Sequence, residues 1–198
     1  LRGGISMVSK RKAIANNPLC PNYNENERKS WLMYLDANNL YGWAMMQKLP
    51  VRDFKWDTDV SINTLLSHNP NDSKGWIVEV DLEYPEELHD VHNDYPFAPE
   101  TMEIPFQKLS DYEKQLLHKF NCTPDKCKNQ CGYTAHKKLV PNLQKKEKYV
   151  VHYRNLQLYT SLGMKCTKIH RGLSFTQETW TAQYIQMNTN LRTAATND

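Results

Sequence analysis

One carboxylate in this chain is placed as a metal ligand would be. Trp31 to Leu35 are all apolar or aromatic, which is the composition of a strand buried on both faces, and Asp36 follows that run directly. We therefore expect Asp36 to stand at the carboxyl end of a strand in a sheet. An Asn-rich turn, and then a second apolar segment, come after it.

A helix is predicted immediately after this aspartate. Asn38 or Asn39 can cap it, the residues from Leu40 to Leu49 would form it, and Pro50 would end it. The free N–H groups at a helix start attract phosphate, and Mg²⁺ prefers one or two protein carboxylates together with water and phosphate oxygens. The pattern indicates phosphoryl transfer on a magnesium-bound triphosphate. The alternative is an aspartate that only ends a strand and caps a helix.

The wider sequence resembles a known family at several points. Residues 36–42, D-A-N-N-L-Y-G, are similar to the first catalytic motif of family B DNA polymerases, D-x-x-S-L-Y-P. They are closest to its D-x-N-N-L-Y-G form in the protein-primed branch of Polinton (Maverick) transposons, related viruses and linear plasmids. Residues 1–5, L-R-G-G-I, resemble the Y-x-G-G-type element between exonuclease and polymerase domains. Residues 138–142 and 148–153 resemble the segment that leads toward the fingers.

The resemblance implies a role for each residue of the motif. Asp36 would be the catalytic residue and a ligand of Mg²⁺ in a two-ion site. Asn39 and Leu40 would offer backbone N–H groups to the β- and γ-phosphates of a dNTP, and Tyr41 would pack under its sugar and exclude ribose. Arg192 corresponds to a basic residue directed toward the triphosphate. The residues alone also allow Tyr41 to be a core tyrosine and Arg192 to be solvated.

Two further motifs of the family do not occur in this sequence. These are K-x-x-x-N-S-x-Y-G of the fingers helix and the later strand motif D-T-D, whose aspartates complete the metal site. We therefore expect the chain to be a polymerase fragment that cannot add nucleotides alone. The partners implied are template and primer DNA, dNTP, and a terminal protein that supplies the priming hydroxyl.

Charge is distributed unevenly along the 198 residues. Residues 1–100 carry 10 Lys or Arg and 15 Asp or Glu, whereas residues 101–198 carry 15 and 7. The basic half contains lysines interleaved with tyrosines, which suits contact with a nucleic-acid backbone. A solvated lysine-rich loop is the alternative. The predicted DNA-binding residues are Arg2, Gly3, Gly4, Lys137, Lys138, Lys145 and Lys146, the glycines because they let a template strand approach the backbone closely.

The order of the predicted elements favours an α+β fold. Strands are expected at Gly75–Tyr84, where apolar and polar residues alternate, at residues 138–143 and 148–152 as a possible hairpin, and at residues 173–177. The strand at Gly75–Tyr84 is expected to pair with the Trp31–Asp36 strand. Helices are expected within residues 57–69, after a capping box at Ser110–Glu113, before Gly163, and from about Thr179.

We interpret this order as a partial family B palm with an insertion that resembles the terminal-protein region. The predicted domains are a flexible linker at residues 1–28, a palm segment with the catalytic motif at 29–85, a basic and Pro-rich insertion at 86–150, and an approach to the fingers at 151–198. Neither a hydrophobic signal core nor an apolar run of membrane-spanning length occurs. The expectation is an intracellular, soluble chain in a nucleus or at a viral replication site.

Two alternatives to a polymerase remain open. Cys122, Cys127 and Cys131, with His118 and His136 beside them, would make a small zinc-containing interaction module, although their C-x4-C-x3-C spacing lacks a C-x2-C pair. Reduced, unpaired thiols are the default for an intracellular chain. The other alternative is a non-catalytic, nucleic-acid-binding remnant of a mobile element.

Overall fold

The structure is a computed structural model that describes residues 4–10, 12–119 and 137–195. It is a mixed α+β fold with antiparallel sheets, as the sequence predicts. In chain order the elements are α1 (Leu40–Met45), β1 (Leu49–Asp57), α2 (Ile62–Ser67), β2 (Lys74–Glu83), a 3-10 turn (Glu86–Leu88), α3 (His89–His92), β3 (Glu100–Met102), a second 3-10 turn (Phe106–Lys108), α4 (Asp111–Lys119), β4 (Lys138–Val140), β5 (Lys146–His152), α5 (Tyr153–Ser161), β6 (Lys165–Glu178) and α6 (Ala182–Ala194).

The chain divides into two compact units. The first consists of Leu1–Ser9 and Glu86–Gln144, and the second of Lys10–Pro85 and Lys145–Asp198. The first unit contains the short antiparallel pair of β3 and β4 and the helix α4. The second unit contains the larger sheet, residues 36–42 and the helices α1, α2, α5 and α6.

The larger sheet has four antiparallel strands in the order β1-β6-β2-β5. Its central strand β2 confirms the alternation predicted for Gly75–Tyr84. One face of that strand, made of Trp76, Val78, Val80 and Leu82, is buried, as is Tyr84 directly after the strand. These side chains form the core together with residues of β5, α5 and β6, among them Tyr149, Val151, Tyr153, Leu156 and Phe175.

A buried glutamine ties the loop before β2 to this core. Gln177 is fully buried, and its Nε2 donates to the carbonyl oxygen of Asp72 at 2.9 Å and to the Tyr153 hydroxyl at 3.0 Å. Its backbone N–H donates to the carbonyl of Ser73 at 2.7 Å. Nearby, Gln157 of α5 donates to the carbonyls of Leu65 and His68. Since buried polar groups need partners, these amides fix the course of residues 65–74.

The strand predicted for Trp31–Leu35 is wrong. These residues form no strand in the structure, and their side chains are between 63% and 94% exposed. The predicted pairing of Gly75–Tyr84 with this segment is also wrong, because β2 lies between β5 and β6. An apolar run becomes a buried strand only where a neighbouring strand takes its backbone hydrogen bonds. Both long sides of β2 are already occupied by other segments.

Most of the locally encoded elements are confirmed. A helix forms within residues 57–69 as α2, and α5 is followed by Gly163, whose φ of 101° suits a glycine at a helix end. The capping box is formed, since the backbone N–H of Ser110 donates to Glu113 Oε2 at 3.0 Å and that of Glu113 donates to Ser110 Oγ at 3.2 Å. The final strand and helix are β6 and α6.

Two predicted details differ from the structure. The helix after Asp36 ends at Met45, because the chain enters β1 at Leu49 and Pro50 lies inside that strand. The possible hairpin of residues 138–143 and 148–152 is wrong, because β4 pairs with β3 whereas β5 pairs with β2. Across the described ranges, no helix combines the length and the apolar character that crossing a membrane requires.

Candidate functional site

Asp36 lies in an exposed, irregular segment just before α1. Its side chain is accessible to solvent, although no sheet strand delivers it as predicted. Tyr41, in the first turn of α1, is 87% exposed, so it is not the core tyrosine that a purely structural interpretation would require. Leu40, which precedes it, is also exposed. Asp36 and Tyr41, the two side chains that the motif would present to a nucleotide, therefore both lie at the surface, on either side of the start of α1.

The turn between them has a distinctive backbone. Asn39 occupies the N-cap position with φ 51° and ψ 44°, a left-handed conformation that Asn tolerates better than most residues. Its carbonyl accepts the first helical hydrogen bond, from the N–H of Trp43 at 2.9 Å. The predicted cap position is thus occupied, but the Asn39 side chain makes no capping hydrogen bond.

The Asn39 side chain packs against Gly42 instead. A Cβ atom on Gly42 would lie 2.5 Å from Asn39 Oδ1 and 2.6 Å from its Cγ, so the Asn39 amide occupies the space that a side chain at position 42 would need. Gly42 is buried, while its neighbours in α1 are mostly exposed. The Asn39 and Gly42 pair, in which the sequence departs from the broader S-L-Y-P pattern, is therefore one packing unit.

The helix α1 is attached to the sheet at its far end. The Thr181 hydroxyl donates to the carbonyl of Met45, and β1 begins soon afterwards with Leu49 opposite Glu178 of β6. Gln47 donates from its side chain to the carbonyl of Trp43 at 3.1 Å. The motif segment is consequently held by its C-terminal side, whereas residues 31–36 are exposed.

No hydrogen bond or ion pair found in the described part of the chain joins Arg192 to Asp36. The arginine lies in the last turn of α6, a helix without a buried residue, and it is exposed. The hydrogen bond that joins α6 to α1 is at Thr181, and Arg192 lies eleven residues further, about 16 Å along the helix axis. The predicted contact with a triphosphate stays a prediction.

The predicted DNA-binding residues have different environments. Lys137, Lys138 and Gly4 are exposed in the first unit, and the space around Gly4 is open. Lys145 is exposed and forms an ion pair with Glu147 at 2.6 Å, a hydrogen bond and charge that raise the pKa of the lysine. Lys146 is only 1% exposed, so its ammonium is not presented to a nucleic acid. Arg2 and Gly3 lie outside the described residues.

A polar cluster that the sequence did not single out lies where β2, β5 and β6 meet. Asp81 Oδ1 accepts hydrogen bonds from the backbone N–H of Lys148 and from His170 Nε2, both at 2.8 Å. These two hydrogen bonds, the one from Lys148 first, lower the pKa of Asp81. The cluster borders an open cavity of about 650 Å³. Alternation along β2 predicts only that Asp81 is on the polar face, because its partners are far away in sequence.

Among the described residues, Asp36 belongs to no cluster of three or more potential metal ligands. Within residues 4–10, 12–119 and 137–195, no group of three or more His, Cys, Asp or Glu side chains could hold a metal ion. One exposed carboxylate nevertheless fits Mg²⁺ that takes its other ligands from water and phosphate. The cysteines considered for zinc, Cys122, Cys127 and Cys131, lie outside the described residues, as does His136. The described cysteines, Cys20 and Cys166, are free thiols.

Comparisons with known protein families, with curated proteins and with solved structures find no match for this chain.

Proposed function

We propose that this chain is part of a DNA-directed DNA polymerase of the protein-primed family B type, in which it forms a portion of the palm. The observation that carries the proposal is the exposure of Asp36 and Tyr41 on either side of the start of α1, in a segment whose sequence resembles the family's first catalytic motif. Buried side chains could reach neither a nucleotide nor a metal ion. The fold itself is compatible with a palm but is not specific to one.

Asp36 acts in this proposal as one carboxylate ligand. Mg²⁺, when bound, supplies positive charge beside the attacking 3′-hydroxyl oxygen and the triphosphate. The carboxylate of Asp36 holds that charge at the start of α1. The remaining protein ligands would come from the D-T-D strand that this sequence does not contain, so residues 1–198 supply only part of the metal site. We accordingly expect no nucleotide addition by residues 1–198 alone.

Tyr41 and Asn39 position the nucleotide in this proposal. The Tyr41 ring, held at the surface by α1, would lie under the deoxyribose, where a ribose 2′-hydroxyl collides with it. The left-handed turn at Asn39, supported by its packing on Gly42, would direct backbone N–H groups of residues 39 and 40 toward the β- and γ-phosphates. The side chains of Lys137, Lys138 and Lys145 would contact template or primer phosphates.

The decisive experiment uses a longer chain that contains the K-x-x-x-N-S-x-Y-G and D-T-D motifs after residue 198. We expect Asp36→Asn to reduce primer extension by about 10³-fold or more, since it removes a charged metal ligand. The matched control is Asp59→Asn, which changes an exposed aspartate in the same unit. Full activity of the Asp36 variant, or equal loss in both variants, would contradict the proposal.

A second measurement tests the role of Tyr41 in the same chain. Replacement of Tyr41 by Val opens the space under the sugar, so we expect the ratio of ribonucleotide to deoxynucleotide incorporation to rise about tenfold or more. Tyr184→Val, at another exposed tyrosine, should leave that ratio unchanged. An unchanged ratio in the Tyr41 variant would remove its assigned role without affecting the test of Asp36.

A non-catalytic nucleic-acid-binding protein is the second candidate, and the exposed lysines at residues 137, 138 and 145 favour it. It predicts salt-dependent binding of single-stranded or duplex DNA by residues 1–198, since bound phosphates release counterions. It also predicts that Asp36→Asn has no effect on any reaction. Primer extension by the Asp36 variant therefore separates the two candidates.

A further inference from the structure

The strand β6 is longer than its neighbour β1. It extends from Lys165 to Glu178, but β1 pairs with it only from Gly172 onward. On its other side β2 pairs with it as far as Lys165. In the part of the chain that the structure describes, no strand and no backbone hydrogen bond occupies the outer side of residues 165–171. We call these seven residues the open edge. Alternate residues of such an edge direct their N–H and C=O groups outward, here over about 20 Å; the carbonyl of Lys168 accepts a hydrogen bond from Cys166 Sγ at 3.7 Å.

The core-facing side of the open edge is apolar. Cys166 lies opposite Leu82, and Ile169 lies opposite Val80, both of which point into the core. Cys166 and Ile169 are themselves partly exposed because β1 does not reach them. Together with Ile62 of α2 they line a shallow pocket of about 220 Å³. A strand added here could place one aliphatic side chain in that pocket.

The opposite side of the open edge carries basic side chains, Lys165, Lys168 and Arg171, which lie opposite Glu83, Asp81 and Glu79 of β2. Lys165 and Lys168 are exposed, and neither forms an ion pair with any described residue. Arg171 differs, because its guanidinium binds Glu79 at 2.8 Å and lies 5.3 Å from the centre of the Trp56 ring. The two lysine ammonium groups are thus exposed and outside ion-pair distance of the described carboxylates, although the charge of Lys168 also acts on Asp81 and Lys168 borders the pocket.

The open edge is held in place from the side of β2. The register with β2 shifts twice, and Thr167 and His170 are the extra residues. The Thr167 hydroxyl donates to the carbonyl of Asp81 at 3.3 Å, and His170 contacts the carboxylate of Asp81 at 2.8 Å. An edge that is already ordered loses little entropy when a strand is added. Bulges and lysines can also prevent a strand edge from pairing with another strand. If they do so here, no added strand should bind to the open edge.

We propose that the open edge binds an extended peptide segment in which acidic side chains alternate with aliphatic ones. Backbone hydrogen bonds to residues 165–171 would hold it, acidic side chains would meet Lys165 and Lys168, and an aliphatic one would enter the pocket under Cys166 and Ile169. A second copy of this chain is disfavoured, because antiparallel pairing of two open edges would bring the same lysines together. The proposal is independent of polymerase activity.

The test measures amide hydrogen exchange at residues 165–171 in the full 198-residue chain. The probe is the peptide acetyl-E-V-E-V-E-V-E-amide, and the matched probe has Lys in place of each Glu. We expect the acidic peptide to slow exchange of the outward amides about tenfold or more at saturation, and the basic peptide to leave it unchanged. Exchange should be unaffected in β1 and β5, which are the edge strands of this sheet.

Two variants identify the contacts. Lys165→Glu with Lys168→Glu should weaken binding of the acidic peptide about tenfold, whereas Lys12→Glu with Lys29→Glu, which makes the same change in net charge at exposed positions, should not. Ile169→Thr should weaken it about threefold by reducing the apolar contact. Unchanged melting temperatures show that each variant is folded.

Three results would overturn the proposal. The first is no protection by the acidic peptide, which would mean that the lysines and bulges protect the edge from pairing. The second is equal weakening by both double substitutions, which would indicate a response to net charge only. The third is equal protection by a single-stranded oligonucleotide, which lacks a β-strand backbone and would assign the lysines to nucleic-acid binding.

Discussion

Two segments of this chain that are rich in apolar residues end in opposite environments. Residues 76–84 comprise most of β2 and the residue after it. Apolar and polar side chains alternate along them, and the side chains of the apolar face are almost completely buried. Residues 31–35 are apolar throughout and almost completely exposed. The difference is not hydrophobicity but pairing, since β2 has a strand on each side and residues 31–35 have none among the described residues. Asp36 thus directly follows the segment that has no partner strand.

The largest contrast between the two segments is expected from matched leucine substitutions. Leu82→Ala removes a side chain that is 1% exposed, so we expect it to lower the free energy of unfolding by about 2–5 kcal/mol. Leu35→Ala, at a side chain that is 80% exposed, should change it by less than about 0.5 kcal/mol. Urea denaturation followed by far-UV circular dichroism measures both. Similar losses would show that residues 31–35 are packed in solution.

A pH dependence of stability is expected from His152, the last residue of β5. Burial first, and the nearby Arg154 charge second, lower the pKa of His152 to about 4 from an ordinary 6.5. The unfolded chain therefore binds a proton more readily than the folded chain. The contribution of this pKa shift to the free energy of unfolding is fully present above pH 6.5 and is lost as the pH falls toward 4. It amounts to about 3 kcal/mol.

The variant His152→Asn isolates that contribution. Asn keeps an acceptor for the N–H of Arg154 at the start of α5 but does not titrate. We expect the difference in unfolding free energy between the wild-type chain and this variant to change between pH 7 and pH 4.5. A difference that is constant over this range would mean that His152 is accessible to protons in the folded state.

The buried amide of Gln177 gives an intermediate effect. Gln177→Ala leaves the Tyr153 hydroxyl and the carbonyl of Asp72 without their partner, so we expect a loss of about 1–3 kcal/mol. Gln186→Ala removes a glutamine whose bond to Asn190 is exposed, and it should cost less than about 0.5 kcal/mol. Thermal unfolding compares the two. Equal effects would contradict a structural role for the amide of Gln177.

The smallest effect is expected in the motif segment itself. Gly42→Ala places a Cβ against the Asn39 side chain, which makes no capping bond and can move, so we expect a loss of at most about 1 kcal/mol. Asn39→Gly removes that side chain and tolerates the left-handed backbone. In the Asn39→Gly background, Gly42→Ala should therefore raise the stability by about 0.5–1 kcal/mol, because alanine has the higher helix propensity. A double-mutant cycle that shows no coupling would separate the two residues.

Sequence patterns correctly predicted the elements that depend only on residues close together in the chain. The alternation of β2, the capping box at Ser110 and Glu113, and the glycine after α5 each depend on residues within one element, and each was confirmed. Asp36 is exposed and lies just before a helix, but the strand that was predicted to carry it does not form.

The sequence by itself determined which faces are apolar and where several helices begin and end, because those properties depend on neighbouring residues. Only the tertiary structure decided which strands pair. It left residues 31–35 without a partner strand among the described residues, buried Lys146, and joined Asp81 to Lys148 and His170, which are 67 and 89 residues away. An alternating or apolar pattern predicts that a surface will be covered, but it does not predict which segment covers it. Strand pairing depends on the whole chain.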